Sequence, residues 1–259
     1  MSDRNRLKIE AEENSGTLTN NSYPGRFLCL GLSDNGNSII QLYGITARSP
    51  KSKNRRLAVK AQLGEVRTEV VDHEMMKGED TSLLIYKAMA HDGNGCYAVS
   101  NGEQTEDVLK YGGTPLGINQ AAFLAEWKYE PDTPNFTPRI SGVSLLRKNR
   151  TPMHRISVLN KNPSTDECQP MEHSFLEFCP GVGYLVSTYT GDGNPLPAFR
   201  GVPCPFPLIG DVDTILHTVW DMLPPDKRVS IVARQIDVTT GLITSTKAVN
   251  LHEPHMVTT

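Results

Sequence analysis

A chain of 259 residues, at about 150 per domain, has room for one large domain or two small ones, and its 38% hydrophobic and 21% charged content excludes a collagen, a coiled coil and a fully disordered chain. Twenty-six Lys and Arg against 29 Asp and Glu leave a formal charge of −3, the wrong field for a protein that coats nucleic acid, so any basic cluster is local. Twenty-one Gly and 18 Pro promise many turns rather than long helices. No stretch approaches the ~18 apolar residues of a membrane span, and the polar first twenty residues lack the apolar core of a signal peptide, so a soluble, cytoplasmic protein with no membrane partner is expected. The five cysteines (Cys29, Cys96, Cys168, Cys179, Cys204) form no C-x-x-C pair and read as reduced thiols.

Along the chain, residues 1–22 have no apolar periodicity and read as a disordered or loosely packed tail, with a short helical tendency around 7–13. The folded domain is expected over 23–259. Two strand-like runs, 27–32 and 38–46, flank Asp34-Asn35-Gly36-Asn37, a turn sequence that tolerates positive φ, and predict a hairpin. Further strands are predicted at 57–61, 65–71, 96–100, 140–146, 154–159, 183–189, 229–237 and 244–250. Helices are predicted from Thr81 or Ser82 through Met89, from Thr105 through Tyr111 and from Asn119 through Trp127. The strongest helical pattern sets Val212, Ile215, Leu216 and Val219 at i, i+3, i+4 and i+7 and stops at Pro224-Pro225. Helices inserted between hairpin-like runs, without strict β-α-β alternation, predict an α+β fold with mainly antiparallel sheet. The long 189–208 loop is of a length that is usually functional or disordered.

The densest charge cluster is Arg48-Ser49-Pro50-Lys51-Ser52-Lys53-Asn54-Arg55-Arg56, five cations in nine residues. A guanidinium fork binds two phosphate oxygens at once and hydroxyls complete the shell of a dianion, so the composition suits one terminal phosphate; a solvated basic loop is the plain alternative. No aromatics interleave with the cations, which argues against a nucleic-acid partner. Walker A and G-x-S-x-G patterns are absent, and His252-Glu253-Pro254-His255 has the wrong spacing and a proline for a zincin, so no metal and no cofactor are expected.

Five motifs in order carry a resemblance: Tyr23-Pro24-Gly25-Arg26; Ile45-Thr46-Ala47-Arg48-Ser49 with Asn54-Arg55; Ile85-Tyr86; Val99-Ser100-Asn101-Gly102 with Thr105; and Tyr129-Glu130 with Thr137-Pro138-Arg139-Ile140. Together they resemble the archaeal-type IMP cyclohydrolase family, and the 189–203 segment is similar to its longer bacterial relatives. The resemblance implies a four-layer α-β-β-α sandwich like that of the N-terminal-nucleophile hydrolases but without their terminal nucleophile. Ser2 agrees, lying in the polar tail well before the first strand. It implies closure of the formamido-imidazole-carboxamide ribotide to inosine monophosphate with loss of water, the last step of purine synthesis, with a purine ribotide as the partner. Residue by residue, it nominates Arg55, Tyr86 and Glu130 as the catalytic group. Arg48, Ser49, Lys53 and Asn54 are the expected phosphate neighbourhood, and Asn101 and Arg139 the base or ribose contacts. Arg48 and Arg55 exchange jobs if Arg55 holds the phosphate. A non-catalytic ribotide-binding protein and an amidohydrolase using Cys29 or Cys96 remain open, as do self-association and the parts played by the tail and by Asp192 and Asn194 in the long loop.

Overall fold

In a computed structural model, which describes residues 3–146, 152–176 and 178–258, the strands pair into two antiparallel sheets of seven. Ser2 and the side chain of His255 lie outside the described residues. In chain order the strands are β1 (Arg26–Leu32), β2 (Ser38–Thr46), β3 (Arg55–Lys60), β4 (Glu65–Val70), β5 (Lys87–His91), β6 (Cys96–Ser100) and β7 (Arg139–Leu145). They continue as β8 (Met153–Lys161), β9 (Cys168–Phe175), β10 (Val182–Ser187), β11 (Cys204–Pro207), β12 (Arg228–Asp237), β13 (Ile243–Asn250) and β14 (Glu253–Thr258). One sheet runs β11-β10-β1-β2-β12-β13-β14 and the other β3-β4-β5-β6-β7-β8-β9. The predicted hairpin is β1–β2, in register from Arg26 opposite Ile45 to Leu32 opposite Ile39.

Both sheets are buried on the faces turned to each other. Leu28, Leu30, Tyr43, Ile45 and Val232 of the first meet Leu57, Val66, Val99, Ile140, Ile156 and Val158 of the second in one core. The outer faces are apolar too, so each needs a cover. Helix α5 (Val212–Met222) covers the first with Val212, Ile215, Leu216 and Val219 against Phe27, Leu42 and Ile231, and Asp211 caps it by accepting from the Thr214 amide at 2.8 Å. Helices α3 (Thr105–Gly112) and α4 (Gly117–Leu124) cover the second, Val108 and Ile118 packing on Ala98, Val143 and Leu145. The fold class is therefore α+β. No helix among the described residues is long and apolar enough to cross a membrane.

Three expectations change. Residues 3–22 are not a loose tail: α1 (Asp3–Glu13) lies on β10 and β11, with Ala11 and Leu18 buried. Leu7 and Ala11 pack beside Cys179 and Val182 while Ile9 stays exposed, too sparse a pattern to register as periodicity. The helix expected through Met89 stops after a single turn, in which the Leu84 and Ile85 amides both donate to Thr81 O. Beyond that turn, Tyr86 bonds through its main chain to Thr68, whose hydroxyl accepts from the Tyr86 amide at 2.7 Å, and β5 begins. Sheet pairing has overridden a helical spacing. The third helix opens at Gly117 instead of Asn119, because Glu172 accepts from the Asn119 amide at 2.8 Å inside the first turn. Strands β9, β11 and β14 lacked a recognisable alternation in the sequence.

His154 on β8 is fully buried beside Phe178, ring centroids 4.5 Å apart, and neither ring nitrogen has a hydrogen-bond partner. Burial pushes its pKa down to about 3, and the nearby Gly31 main chain opposes this only weakly. The unfolded chain therefore binds a proton here near pH 6.5 that the folded chain refuses, so stability is lost as pH falls from about 6.5 toward 3. We expect His154→Leu to remove about 1 kcal/mol of acid destabilisation per pH unit between pH 6 and 4.5 in urea unfolding. Equal pH slopes for variant and parent would contradict this.

Candidate active site

At one end of the two sheets, the start of β1 faces the ends and starts of β6 and β7. The Tyr23-Pro24-Gly25-Arg26 motif makes the entry to β1. Gly25 has φ +71°, and a Cβ there would sit 2.2 Å from the Thr188 hydroxyl and 2.6 Å from the Tyr189 ring, so only glycine fits. The Gly25 carbonyl accepts from the Thr46 amide at 2.7 Å, which fixes the direction in which Arg26 leaves the turn.

The Arg26 guanidinium meets Glu130 with Nη2 to Oε1 at 2.6 Å, side chains 11% and 2% exposed. Glu130 sits on a loop knotted by Asp132, whose carboxylate accepts from the Thr137 amide at 2.7 Å and the Thr137 hydroxyl at 2.5 Å, while the Glu130 amide donates to Thr137 O. Asn101 supports the carboxylate from behind: its Nδ2 donates to Pro138 O at 2.9 Å and approaches Glu130 Oε1 at 3.4 Å, and its Oδ1 accepts from the Ile140 amide and from Gln104. Burial lifts the Glu130 carboxyl above the ordinary carboxylate range even though Arg26 pulls it down. Arg26 resists the same burial and is held charged by Glu130.

Beside this pair, the Tyr43 and Tyr86 hydroxyls share a hydrogen bond of 2.6 Å between the sheets. Burial pushes the Tyr43 phenol well up, with Tyr86 adding to the shift and Arg26 and Arg55 opposing it. Arg55, 2% exposed at the start of β3, leaves Nε and Nη1 without a partner. Tyr86 thus meets Tyr43, Glu130 meets Arg26, and the charges of Arg26 and Arg55 both act on the Tyr43 phenol, which puts Arg55, Tyr86 and Glu130, distant in sequence, in one buried neighbourhood. Tyr189 closes it from the side, its hydroxyl bonded to that of Thr137.

The remaining nominated residues are divided. Arg48 lies at the rim, 5.1 Å over the Tyr23 ring, with Nη1 donating to Asp192 Oδ1 at 2.8 Å. Ser49 caps the short helix α2 (Pro50–Lys53) by accepting from the Ser52 amide at 3.1 Å. Lys53 Nζ donates to Asp226 O at 2.5 Å, and Asn54 spends its amide on the main chain of Asp72, so both brace loops. Arg139 Nη1 donates to Gln104 Oε1 at 3.0 Å and its guanidinium lies 4.8 Å over the Trp127 ring, which positions it behind Asn101. Asn194 makes no contact that bears on the group. Cys29 faces the α5 core, where burial pushes its thiol up, and Cys96 is buried among Val108, Ile118 and Val143. Neither cysteine reaches this site, which removes them as its nucleophiles.

Arg26, Tyr43 and Lys227 went unassigned in the sequence. Arg26 had a signal, its place in the first motif; Tyr43 sits in an apolar strand run and Lys227 in a turn, and neither position marks a functional residue. A cavity of about 1060 Å³ opens at the opposite end, between the β3–β4 turn and the β12–β13 hairpin, and is lined by none of these residues. Its carboxylate, Glu65, is already committed to Lys87 and Arg67. The convergent chemistry is at the closed end.

Removing one partner of the buried pair strands the other charge. Arg26→Met should cost about 3 kcal/mol at pH 7.5 in denaturant unfolding. Loss of the cation raises the Glu130 pKa further, so the folded variant takes up a proton and the deficit shrinks as pH falls toward 5. A deficit independent of pH would mean that the carboxylate is not what Arg26 stabilises.

No curated relative matches the chain. The family described as IMP cyclohydrolase-like protein matches residues 23–241, a span that starts at the Tyr23 motif and takes in every residue of the buried group and its rim. The chain belongs to the IMP cyclohydrolase-like protein family.

Proposed function

We propose that the protein is an IMP cyclohydrolase that closes the formamido-imidazole-carboxamide ribotide to inosine monophosphate, a cytoplasmic step at the end of purine synthesis. The observation that carries this reading is Arg55: a buried guanidinium with two unpartnered donors beside a phenol pair and a buried carboxylate is a site waiting for an oxygen. The family match supports it. On this reading the sheets, with α5 outside one and α3 and α4 outside the other, are the four layers of an N-terminal-nucleophile-hydrolase-like sandwich.

The substrate carries both reactants, a carboxamide nitrogen whose lone pair is delocalised and a neighbouring formyl carbon. Holding the rotamer in which they meet removes several kcal/mol of barrier, on the order of the entropy of joining two molecules. As the N–C bond forms, charge develops on the formyl oxygen, and the free donors of Arg55 stabilise it. Glu130, with its pKa lifted by burial, takes the hydrogen from the carboxamide nitrogen. Tyr86, paired with the Tyr43 phenol, relays a proton to the oxygen. One hydrogen from the carboxamide nitrogen and one from the formamide nitrogen leave with that oxygen as water, and the ring is aromatic. Asn101 and Arg139 hold Glu130 in place and Arg26 keeps its charge balanced, so they act as positioning residues.

Steady-state turnover of the ribotide, followed by the ultraviolet absorbance of the product, tests the reading. Arg55→Ala, Tyr86→Phe and Glu130→Gln should each lose about 100-fold or more in kcat/KM. Losses under about threefold in all three would overturn the assignment of roles, and binding of the ribotide without turnover by the parent protein would make it a ribotide-binding member of the family.

A further inference from the structure

The buried group has no open mouth: Arg55, Tyr86 and Glu130 are 2%, 5% and 1% exposed. Outward from it, Tyr189 stacks on Tyr23 with centroids 5.7 Å apart, and on the far side of Tyr23 lie Arg48 at 5.1 Å and Lys227 Nζ at 5.9 Å. Between these two cations sits one carboxylate. Asp192 gives Oδ1 to Arg48 Nη1 at 2.8 Å and Oδ2 to Lys227 Nζ at 2.7 Å. It is carried on an excursion of the chain, residues 190–197, whose neck is pinned by the Thr190 amide to Pro197 O and the Phe199 amide to Thr188 O. The Asp192 amide donates to Ser22 Oγ at 3.0 Å, and Gly193 O accepts from Arg48 at 3.0 Å.

We infer that Arg48 and Lys227 are the seat of the substrate's phosphate monoester, and that Asp192 holds this seat in the free protein and leaves it when the phosphate enters. The inference rests on the ring-closure reading for its ligand. Two cations 2.7–2.8 Å from opposite oxygens of one carboxylate form a claw for a bidentate anion. Lys53 and Asn54, the neighbouring candidates, meet main-chain groups alone, whereas Arg48 and Lys227, besides donating to Gly193 O and Ser22 O at 3.0 Å, share the Asp192 carboxylate. The cations, Lys227 first, hold the Asp192 carboxyl below the usual carboxylate range, so it enters the seat as an anion. The ion pairs are exposed, with side chains 40%, 36% and 19% accessible for Arg48, Asp192 and Lys227. Exposed pairs are individually weak, and a phosphate monoester brings nearly twice the charge and a third oxygen. Displacing Asp192 releases the rim end of the 190–197 excursion, whose other end stays anchored by Leu196, buried against Tyr23 and Tyr189 with its amide donating to Asn135 Oδ1 at 3.0 Å.

Titration calorimetry of the full chain at low salt, with inosine monophosphate, inosine and inorganic phosphate as probes, tests this. Lys227→Met should weaken inosine monophosphate about tenfold or more, and Lys227→Arg should restore most of the loss. Asp192→Asn removes the competitor and should tighten inosine monophosphate by about threefold or more. Inosine, which has no phosphate, should gain less than twofold from Asp192→Asn; an equal gain would mean that Asp192 merely blocks the entrance, and would overturn the seat. Unchanged phosphate-ligand affinity in both Lys227→Met and Asp192→Asn, each verified as folded by its melting temperature, would also overturn it, whatever the protein's turnover. If inosine monophosphate does not bind but inorganic phosphate follows the same variant pattern, the seat stands and the ring-closure reading falls.

Discussion

Everything at the closed end depends on a charge that could not be there alone. Taking a carboxylate out of water costs several kcal/mol, and Glu130 is almost wholly out of water. Arg26 is its counter-charge, and Arg26 can serve only because Gly25 adopts a backbone that no side chain would permit against Thr188 and Tyr189. The pair also does mechanical work: it joins the start of β1 in one sheet to the loop that enters β7 in the other, so the two sheets are tied where the site lies. Asn101, Gln104, Arg139 and Trp127 form a second line behind the carboxylate, each holding the next. A charge buried this way is weak support for stability and strong support for a fixed geometry.

Two buried groups with unmet hydrogen bonds show opposite solutions to the same cost. His154 is neutralised: its pKa falls to about 3 and an uncharged ring sits against Phe178, so the group is structural and the unmet nitrogens are tolerable. A guanidinium has no such route, since it has no neutral form in this range and presents donors only. Arg55 therefore stays charged with Nε and Nη1 lacking an acceptor. Unmet donors alone do not single Arg55 out, since buried Arg234 leaves the same two atoms unpartnered; what marks Arg55 is its charge acting on the Tyr43 phenol, which pairs with Tyr86.

Much of the scaffold was legible in the sequence because it is local. The Asp34-Asn35-Gly36-Asn37 turn between two apolar runs gives the β1–β2 hairpin, and the i, i+3, i+4, i+7 pattern that stops at Pro224-Pro225 gives α5. The segment 81–89 was misread because its apolar spacing suits a helix, while the Thr68 hydroxyl and the β4 edge that claim Tyr86 come from a stretch of chain that the spacing does not see. The site divides the same way. Arg55, Tyr86 and Glu130 are nominated by the resemblance of their ordered motifs to the family, whereas Tyr43 looks like core from its strand, and core is where it lies. Its phenol matters only because Tyr86 arrives opposite it from the other sheet.

The 190–197 excursion explains how so buried a group is compatible with a ligand. A site with its reactive side chains at 1% to 5% exposure gains a dry surround, in which electrostatic stabilisation is strong, at the expense of access. The segment is held in two ways: Leu196 packs on Tyr23 and Tyr189 in the core, while Asp192 is held at the rim by exposed ion pairs that the arriving ligand itself replaces. Asp192 has the right charge for that task and the wrong valence to win against a dianion. Asp192 therefore yields to a phosphate ester, and not to the neutral nucleoside that shares its base and sugar.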